Sequence, residues 1–530
     1  MLGLLTNKKL QLPIGYLYWL IPILLFILQA IYTFNTLGQI RYEELDESIV
    51  NPYWVQNRYV QNGASANLGW HFLLVVTYNI FGFSLFAGKF VRLALVLISL
   101  FCQAALLAKY LGAKYAWLPL MTVGLSPTFL YFNTQQTVYG IDLVYFPISL
   151  YLVTSLDFSK KSQNLLQSKN FILSIALWSF SMFALMSYPS FVYFLPALAG
   201  LFFYKLWNSS NYQSLRSSSS VARTAGLKLL KKLKYPKSLE YLAPALVSFL
   251  APLAAVFAYI KNRSLLIYDE NVQSGMFRGA GFLDLNLEVF VTNLKNNLMN
   301  LFARASGYYY EVNKVEFSDF YPAVALILTV FAIYQLWKSQ KNLRHLLILA
   351  MSILFLNVLL AYFTQDPTPG MRRQTGSLAA IYILFVLAWY WAANLAASSI
   401  KWLYLTVLAL ILIHHLIVYP INLMHLSDQS RYKEEVWFKG ADDPATVVDF
   451  YVTKIQNQNL ELVCFDESGG KINCRYNQIF AVVAGSCLWN RLGCREIYGW
   501  DLKTKKYVPL TIELFNDYYF GKYGKEVIAT

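Results

Sequence analysis

Long runs of apolar residues recur along the chain, separated by shorter polar connections. Several runs reach the roughly 20 residues that a helix needs to cross the hydrocarbon core of a bilayer. Because that layer contains no water, the backbone groups of these runs must be bonded internally, which favours α-helices. The pattern predicts about eleven membrane-spanning helices, at residues 13–34, 90–108, 115–132, 137–156, 170–187, 190–206, 241–260, 321–337, 345–363, 376–393 and 402–419.

Two connections and the C-terminal tail are too long to be simple links between spans. In residues 35–89, the run LGWHFLLVVTYNIF is apolar but short, which favours a helix lying in the membrane interface. In residues 261–320, the run LDLNLEVFVTNLKNNLMNLFARA has helical periodicity and predicts a second interfacial helix. After residue 420, runs such as ATVVDFYV and LELVCF alternate with Gly and Asp turns, which predicts strands.

The composition supports this division of the chain. Of the 530 residues, 57% are hydrophobic, 17% are aromatic and only 14% are charged. We therefore expect an all-α polytopic membrane domain over residues 1–420 and a small extracytoplasmic α+β domain over residues 421–530. The net charge of +15 does not indicate nucleic-acid binding, because it is concentrated in connections such as 208–239, which carries seven Lys or Arg and no acid.

The charges of the connections also predict the orientation in the membrane. If the N-terminus is cytoplasmic, the long acidic connections lie outside. The stretches that then lie inside each carry Lys or Arg and no acid: 1–12, AKYLGAK, SKKSQNLLQSK, 208–239, KSQKNLR and the link ending in Lys401. Residues 35–89, 261–320 and the tail after residue 420 are thus predicted to be extracytoplasmic. The membrane is expected to be a bacterial plasma membrane.

Four of the five cysteines, Cys464, Cys474, Cys487 and Cys494, lie in the polar tail. In a compact extracytoplasmic domain they predict two disulfides, for which three pairings are possible. A zinc site is less favoured, because the spacings are longer than those of zinc ribbons. Cys102 lies in an apolar run and is expected to be an inert packing residue.

An acidic cluster follows the first predicted span, in the stretch RYEELDESIV at residues 41–50. In a helix, Glu43, Asp46 and Glu47 would share one face. Crowded carboxylates can accept a proton from a sugar or serine hydroxyl, or bind a divalent cation through their oxygens. The alternative is a solvated acidic collar that helps to hold the connection outside.

Residues 46–110 combine an Asp-Glu pair in an outer connection with an apolar run that ends in Phe-Gly, from DESIVNPYWVQNRYVQNG to LGWHFLLVVTYNIFGFSLFAGKFVRLALVLISLFCQAALLAKYLG. The later stretch LSPTFLYFNTQQTVYGIDLVYFPISLYLV opens with Ser-Pro, and DPTPGMRRQTGSLAAIYILF carries arginines before a late span. This order resembles the GT-C glycosyltransferases, in particular the branch with the protein O-mannosyltransferases and the lipid A aminoarabinose transferase. The resemblance covers most of residues 13–420.

The resemblance implies roles for four residues. Asp46 matches the family's first-loop aspartate, which acts as the catalytic base or its partner, and Glu47 is its usual neighbour. Arg372 and Arg373 match the position that handles the lipid phosphate, and a planar guanidinium can bind phosphate through two hydrogen bonds. Interfacial anchoring is the alternative for this pair, although paired arginines are unusual on an outer face.

Four further candidates depart from the family pattern or have a structural alternative. Many family members carry a second acid about twelve positions after the Ser-Pro pair. Counted from Pro127, that position is Tyr139, and the nearest acid is Asp142, one helical turn further on. Asp142 can substitute for it, because an acid within a membrane span is a functional candidate by default. Arg58 and His71 are candidates for contacts with phosphate or sugar, and a structural role is the alternative for each.

The resemblance therefore implies an inverting glycosyltransferase that uses a polyprenyl-phosphate-linked sugar. The acceptor would be a protein, lipid or glycan on the extracytoplasmic side. A divalent cation such as Mg²⁺ or Mn²⁺ is optional, and Asp46 and Asp142 would bind it. The alternatives are a scaffold subunit and a transporter or flippase for lipid-linked sugars, although transporters favour internal repeats and polar groups at mid-membrane.

Overall fold

The structure is a computed structural model. It describes residues 8–35, 67–81, 85–134, 138, 140–158, 169–217, 244–252, 254, 286–303, 333, 337–338, 343–362, 375–394, 399–427, 460–465, 496–501 and 506–510.

Most of these residues belong to α-helices. The helices are α1 (Lys8–Asn35), α2 (Leu68–Phe81), α3 (Leu85–Leu111), α4 (Ala113–Gly124), α5 (Pro127–Thr134), α6 (Ile141–Ser155), α7 (Lys169–Ser187), a 3-10 helix (Pro189–Tyr193), α8 (Leu195–Ser217), α9 (Leu287–Ala303), α10 (Arg344–Tyr362), α11 (Thr375–Asn394) and α12 (Ser399–Ser427). Residues 244–252 are also helical.

The described helices lie where the apolar runs predict them, and most of the predicted span 321–337 lies outside the described residues. Four contain a stretch long and apolar enough to cross a membrane: Ala87–Leu111, Lys169–Ser187, Thr375–Ala392 and Lys401–Ile421. Five further apolar helices in the described part of the chain are shorter. The predicted fold class, an all-α polytopic membrane protein, is thus confirmed, and the number of spans stays a prediction.

The predicted span at residues 115–132 is interrupted, which corrects the single helix expected there. Pro127 has no N–H to donate to the residue four positions earlier, so a continuous helix would lose a hydrogen bond at this point. The N–H of Ser126 instead bonds to the carbonyl of Val123 at 3.1 Å, and the Ser126 hydroxyl accepts the N–H of Phe129 at 3.5 Å. Ser126 thereby ends α4 and caps α5.

Both runs in the long connections form helices, as predicted, and their position in the membrane interface stays a prediction. The first is α2, which packs against α3 and α7. Its buried face includes Trp70 and Tyr78, and its last residue, Phe81, is exposed. The approach to α7 is close, because a Cβ added at Gly69 would lie 2.7 Å from the Ser187 hydroxyl. The second run forms α9 within residues 261–320.

The helix ends are grouped as the alternation of charge predicts. Asp142, in the first turn of α6, accepts hydrogen bonds from Ser190 and Thr375. All three residues lie at helix ends that are predicted to be on the outer side. At the opposite end of α6, two lysines from predicted inner ends of α3 and α8 bond to the carbonyl of Thr154. The two groups therefore lie at opposite ends of one helix. Which of them faces the cytoplasm stays a prediction.

Aromatic side chains of α6 pack against α7 and against the residue that follows the 3-10 helix. Phe146 stacks on Phe194 with ring centroids 4.4 Å apart, and Tyr145 meets the ring of Phe180 edge-on at 5.3 Å. Rings of this size contribute large buried areas to a helix interface. They hold the start of α6 beside the 3-10 helix, which is where the candidate site lies.

A small three-stranded sheet lies in the C-terminal tail. Its strands are β1 (Leu460–Phe465), β2 (Glu496–Asp501) and β3 (Lys506–Leu510), with β2 between the others. β1 pairs with β2 in parallel, with Leu460 opposite Glu496, and β2 pairs with β3 antiparallel. The predicted strand LELVCF is β1, and the domain division and the rest of the tail stay predictions.

The predicted disulfides also stay a prediction. Cys474, Cys487 and Cys494 lie outside the described residues, and only the backbone of Cys464 is described. Cys102 is a free cysteine, half-buried in α3.

Candidate functional site

The site is built around Asp142 at the start of α6. Two residues before Asp142, Gly140 has a left-handed backbone with φ of +69°. A side chain is disfavoured there by the conformation, and an added Cβ would overlap the ring of Phe132. Gly140 therefore lets the chain turn tightly into α6, which places Asp142 in its first turn with no solvent exposure.

Three donors hold the buried carboxylate of Asp142. The Ser190 hydroxyl donates to Oδ2 at 2.5 Å, and the Thr375 hydroxyl donates to the same oxygen. The backbone N–H of Leu143 donates to Oδ1 at 3.1 Å. An isolated buried carboxylate would be very costly, whereas hydrogen bonds to a charged acceptor are short and strong and offset much of that cost.

The two hydroxyl donors come from distant parts of the sequence. Ser190 lies in the 3-10 helix, 48 positions from Asp142, and Thr375 is the first residue of α11, 233 positions away. Asp142 therefore joins three segments at one end of the helix bundle.

The start of α11 is fixed by a second set of bonds. The N–H and hydroxyl of Ser377 both donate to Oδ1 of Asn357 in α10, at 2.9 and 2.5 Å. Between the two bonded residues, a Cβ at Gly376 would lie 2.9 Å from the Cβ of Asn357. The sequence Thr-Gly-Ser thus lets α11 approach α10 closely while Thr375 reaches the carboxylate.

A buried cation accompanies the buried acid. Arg92 of α3 has 1% exposure, and its guanidinium interacts electrostatically with Asp142. Its Nη2 donates to the carbonyl of Phe132 at 2.5 Å. Its Cζ lies 5.8 Å from the ring centroid of Trp70, a distance typical of cation–π interactions. Arg92 thereby connects α2, α3 and the end of α5 beside the site.

Of the eight candidate residues, the structure describes Asp142 and His71. Asp142 is the buried carboxylate described above, and its catalytic role stays a prediction. His71 is fully buried next to Trp70 in α2, so its ring is part of the packing between helices. The other candidates lie outside the described residues: Asp46, Glu47, Arg58, Tyr139, Arg372 and Arg373. Their roles stay predictions.

Sequence reasoning missed Arg92, Ser190 and Thr375. Arg92 carried a usable signal, because a charge inside an apolar run of α3 is costly and marks a functional or paired site. The hydroxyl residues carried no such signal, since Ser and Thr are tolerated throughout membrane helices.

The described residues contain no group of three or more His, Cys, Asp or Glu side chains that could hold a metal ion. Of the two predicted ligands of a divalent cation, the structure describes Asp142. The predicted second ligand, Asp46, lies outside that part.

No family model and no curated protein sequence matches the chain. Among solved structures, the chain is similar to ArnT from Cupriavidus metallidurans, in crystal structures bound to undecaprenyl phosphate and in the apo state. The TM-scores are 0.49 and 0.48, with 10% and 11% sequence identity, over 88% of this chain and 84% of ArnT in both cases.

Proposed function

We propose that the protein is an integral-membrane glycosyltransferase that moves a sugar from a polyprenyl-phosphate donor to an acceptor hydroxyl on the extracytoplasmic side. One observation carries this proposal. A carboxylate without solvent exposure, Asp142, is held by three donors at helix ends that the charge pattern assigns to the outer side. Intramembrane acids are costly and usually functional, so this bonded carboxylate is the expected centre of a reaction site.

The position of Thr375 supports the predicted phosphate site. Thr375 follows Arg372 and Arg373 closely in the sequence. Two peptide units span at most about 7 Å between Cα atoms, so the chain itself keeps Arg373 near the residue that bonds to Asp142. Guanidinium groups this near could neutralise a lipid phosphate.

The hydrogen bonds of Asp142 favour an orienting role for it. Each carboxylate oxygen has two lone pairs. Oδ2 accepts two hydroxyl groups, whereas Oδ1 accepts only the N–H of Leu143 among the bonds to described residues. Oδ1 therefore retains an acceptor position that can orient a hydroxyl group. We assign proton removal to Asp46, which the resemblance matches to the family's first-loop aspartate.

The proposed reaction balances with these groups. The acceptor oxygen attacks the anomeric carbon on the side opposite the phosphate, and the bond from that carbon to the phosphate oxygen breaks. The proton of the acceptor passes to Asp46. The polyprenyl phosphate leaves with the electron pair, and Arg372 and Arg373 offset its charge. Attack from the opposite side inverts the anomeric configuration.

The proposal is tested with the purified chain in detergent micelles, where no membrane separates two compartments. A panel of polyprenyl-phosphate-linked sugars is supplied with candidate acceptors, and the polyprenyl phosphate formed is measured by mass spectrometry. A transporter or scaffold would leave the sugar–phosphate bond intact. We expect release of polyprenyl phosphate with at least one donor, and its loss in Asp46→Asn.

Glu44→Gln provides a matched control, because Glu44 lies in the same acidic stretch but has no counterpart in the family pattern. It should release polyprenyl phosphate as the unchanged chain does. Release that continues in Asp46→Asn would reject Asp46 as the base, and no release with any donor would contradict the proposed function.

A further inference from the structure

Two lysines converge on one carbonyl at the end of α6 that lies opposite Asp142. Lys109, in the last turn of α3, donates to the carbonyl of Thr154 at 2.6 Å. Lys205 of α8 donates to the same carbonyl at 2.6 Å and to that of Leu156 at 2.7 Å. The two ammonium nitrogens therefore lie within about 5.2 Å of each other, twice the shared distance.

The end of α6 does not by itself require two lysines. The last carbonyls of a helix need donors, and one lysine side chain in that position can supply them. Lys205 already reaches two carbonyls in this region. Lys109 adds a second positive charge at a distance where like charges repel. An anion between the two ammonium groups would remove this repulsion.

The acidic group that acts on both lysines compensates only one of the two charges. Asp157, just beyond α6, interacts electrostatically with Lys109 and with Lys205. Each ammonium has three N–H donors, and the bonds to described residues use one donor of Lys109 and two of Lys205. Counted over the described residues, three N–H donors of the pair make no hydrogen bond, and the pair carries one more charge than Asp157 supplies.

The surroundings indicate which anion fits. Lys109 is exposed, so the pair is accessible from outside the bundle. On α8, the residues directly before Lys205 are Phe203 and Tyr204, which are 48% and 52% exposed. The ring of Tyr204 also stacks on His345, with centroids 6.4 Å apart. A positive pair next to exposed aromatic residues matches a molecule with an anionic head and apolar chains.

We propose that Lys109 and Lys205 bind the phosphate of an anionic phospholipid in the leaflet at that end of the bundle, with its acyl chains along Phe203 and Tyr204. The charge pattern assigns this end to the cytoplasmic leaflet, where clustered lysines attract anionic lipid. The site is distinct from the proposed donor site, because it lies at the other end of α6. It does not depend on the transferase activity.

The test measures lipid retention by native mass spectrometry of the purified full chain in a neutral detergent. We expect phosphatidylglycerol to be retained in preference to phosphatidylcholine, and each Lys→Gln change at 109 or 205 to weaken this binding about five-fold. Lys114→Gln is the matched control, since Lys114 is an exposed lysine at the same end of the bundle. It should leave the binding unchanged.

Three results would overturn the proposal. The first is equal retention by the unchanged chain and the Lys109→Gln/Lys205→Gln variant. The second is an equal loss in Lys114→Gln, which would show attraction to general surface charge. The third is displacement of phosphatidylglycerol by millimolar inorganic phosphate, which would show a site for a free anion.

The double variant also removes bonds to the end of α6 and can fail to fold, so a second measurement uses the unchanged chain. Photoactivatable phosphatidylglycerol and phosphatidylcholine are cross-linked to it in mixed vesicles, and the labelled peptides are mapped. Preferential labelling by phosphatidylglycerol is expected near residues 109 and 203–205. Equal labelling of these segments by both lipids would contradict the site.

Discussion

Replacing Thr375 with valine tests whether the bonds to Asp142 hold the bundle together at the candidate site. Valine keeps the shape of the side chain and removes only the hydroxyl that donates to Oδ2. Thr375 is fully buried, so water does not replace the lost donor. Ser190 and the N–H of Leu143 continue to bond to the carboxylate.

The expected loss follows from the type of bond. A hydrogen bond to a charged group contributes about 1.5–3 kcal/mol to stability. Because two other donors remain, we expect Thr375→Val to lower the free energy of unfolding by about 2 kcal/mol. In the Asp142→Asn background, the acceptor is neutral and the bond contributes about 1 kcal/mol. The double-mutant cycle should therefore give a coupling energy of about 1 kcal/mol between the two positions.

The assay is unfolding by SDS in mixed micelles, followed by tryptophan fluorescence. Thr122→Val is the control, because Thr122 is buried and its hydroxyl donates to the carbonyl of Leu118 within the same helix. Thr375→Ser should regain most of the lost stability. A loss in Thr375→Val no larger than that in Thr122→Val, or a coupling energy near zero, would refute the reasoning.

Two further predictions concern the phosphate and the turn before α6. Replacing Arg372 and Arg373 with glutamine should weaken the binding of polyprenyl phosphate at least tenfold, since charged hydrogen bonds to phosphate contribute about 1.5 kcal/mol or more. Lys295→Gln, a change at an exposed residue of α9, should have no effect. If native mass spectrometry gives the same affinity for the unchanged chain and the double variant, the two arginines do not form the phosphate site. Gly140→Ala should lower the free energy of unfolding by more than about 1–2 kcal/mol, because the left-handed backbone and the overlap with Phe132 both oppose a side chain. Gly200→Ala, which meets nothing within 4 Å inside α8, should be neutral or stabilising, and equal effects of the two changes would contradict the assigned role of the turn.

The helices and the grouping of their ends could be predicted from the sequence, because both follow from general properties of the bilayer. The length of an apolar run reflects the thickness of the hydrocarbon layer, and the charge of a connection reflects its side. The short run at α2 was predicted to within a residue, since its apolar pattern ends sharply at Phe81. The interruption before Pro127 was missed although proline gives a clear signal there.

The hydrogen-bond partners of Asp142 could not be predicted from the sequence, although Asp142 itself was one of the candidate residues. Ser190 and Thr375 meet it because α6, the 3-10 helix and α11 pack in one particular arrangement. Such an arrangement depends on side-chain packing across separations of 48 and 233 positions, and periodicity within one helix carries no information about it. Arg92 differs, because its charge within an apolar helix was visible in the sequence.

The most direct test of the account measures sugar transfer by Asp142→Asn in the assay for polyprenyl phosphate. Asparagine is nearly the same size, and its oxygen can still accept the hydroxyl groups of Ser190 and Thr375, so the variant should remain folded in gel filtration. If Asp142 orients the reacting hydroxyl as a charged acceptor, the rate of transfer should fall by about 100-fold or more. A folded Asp142→Asn protein that transfers sugar at the rate of the unchanged chain would contradict the account.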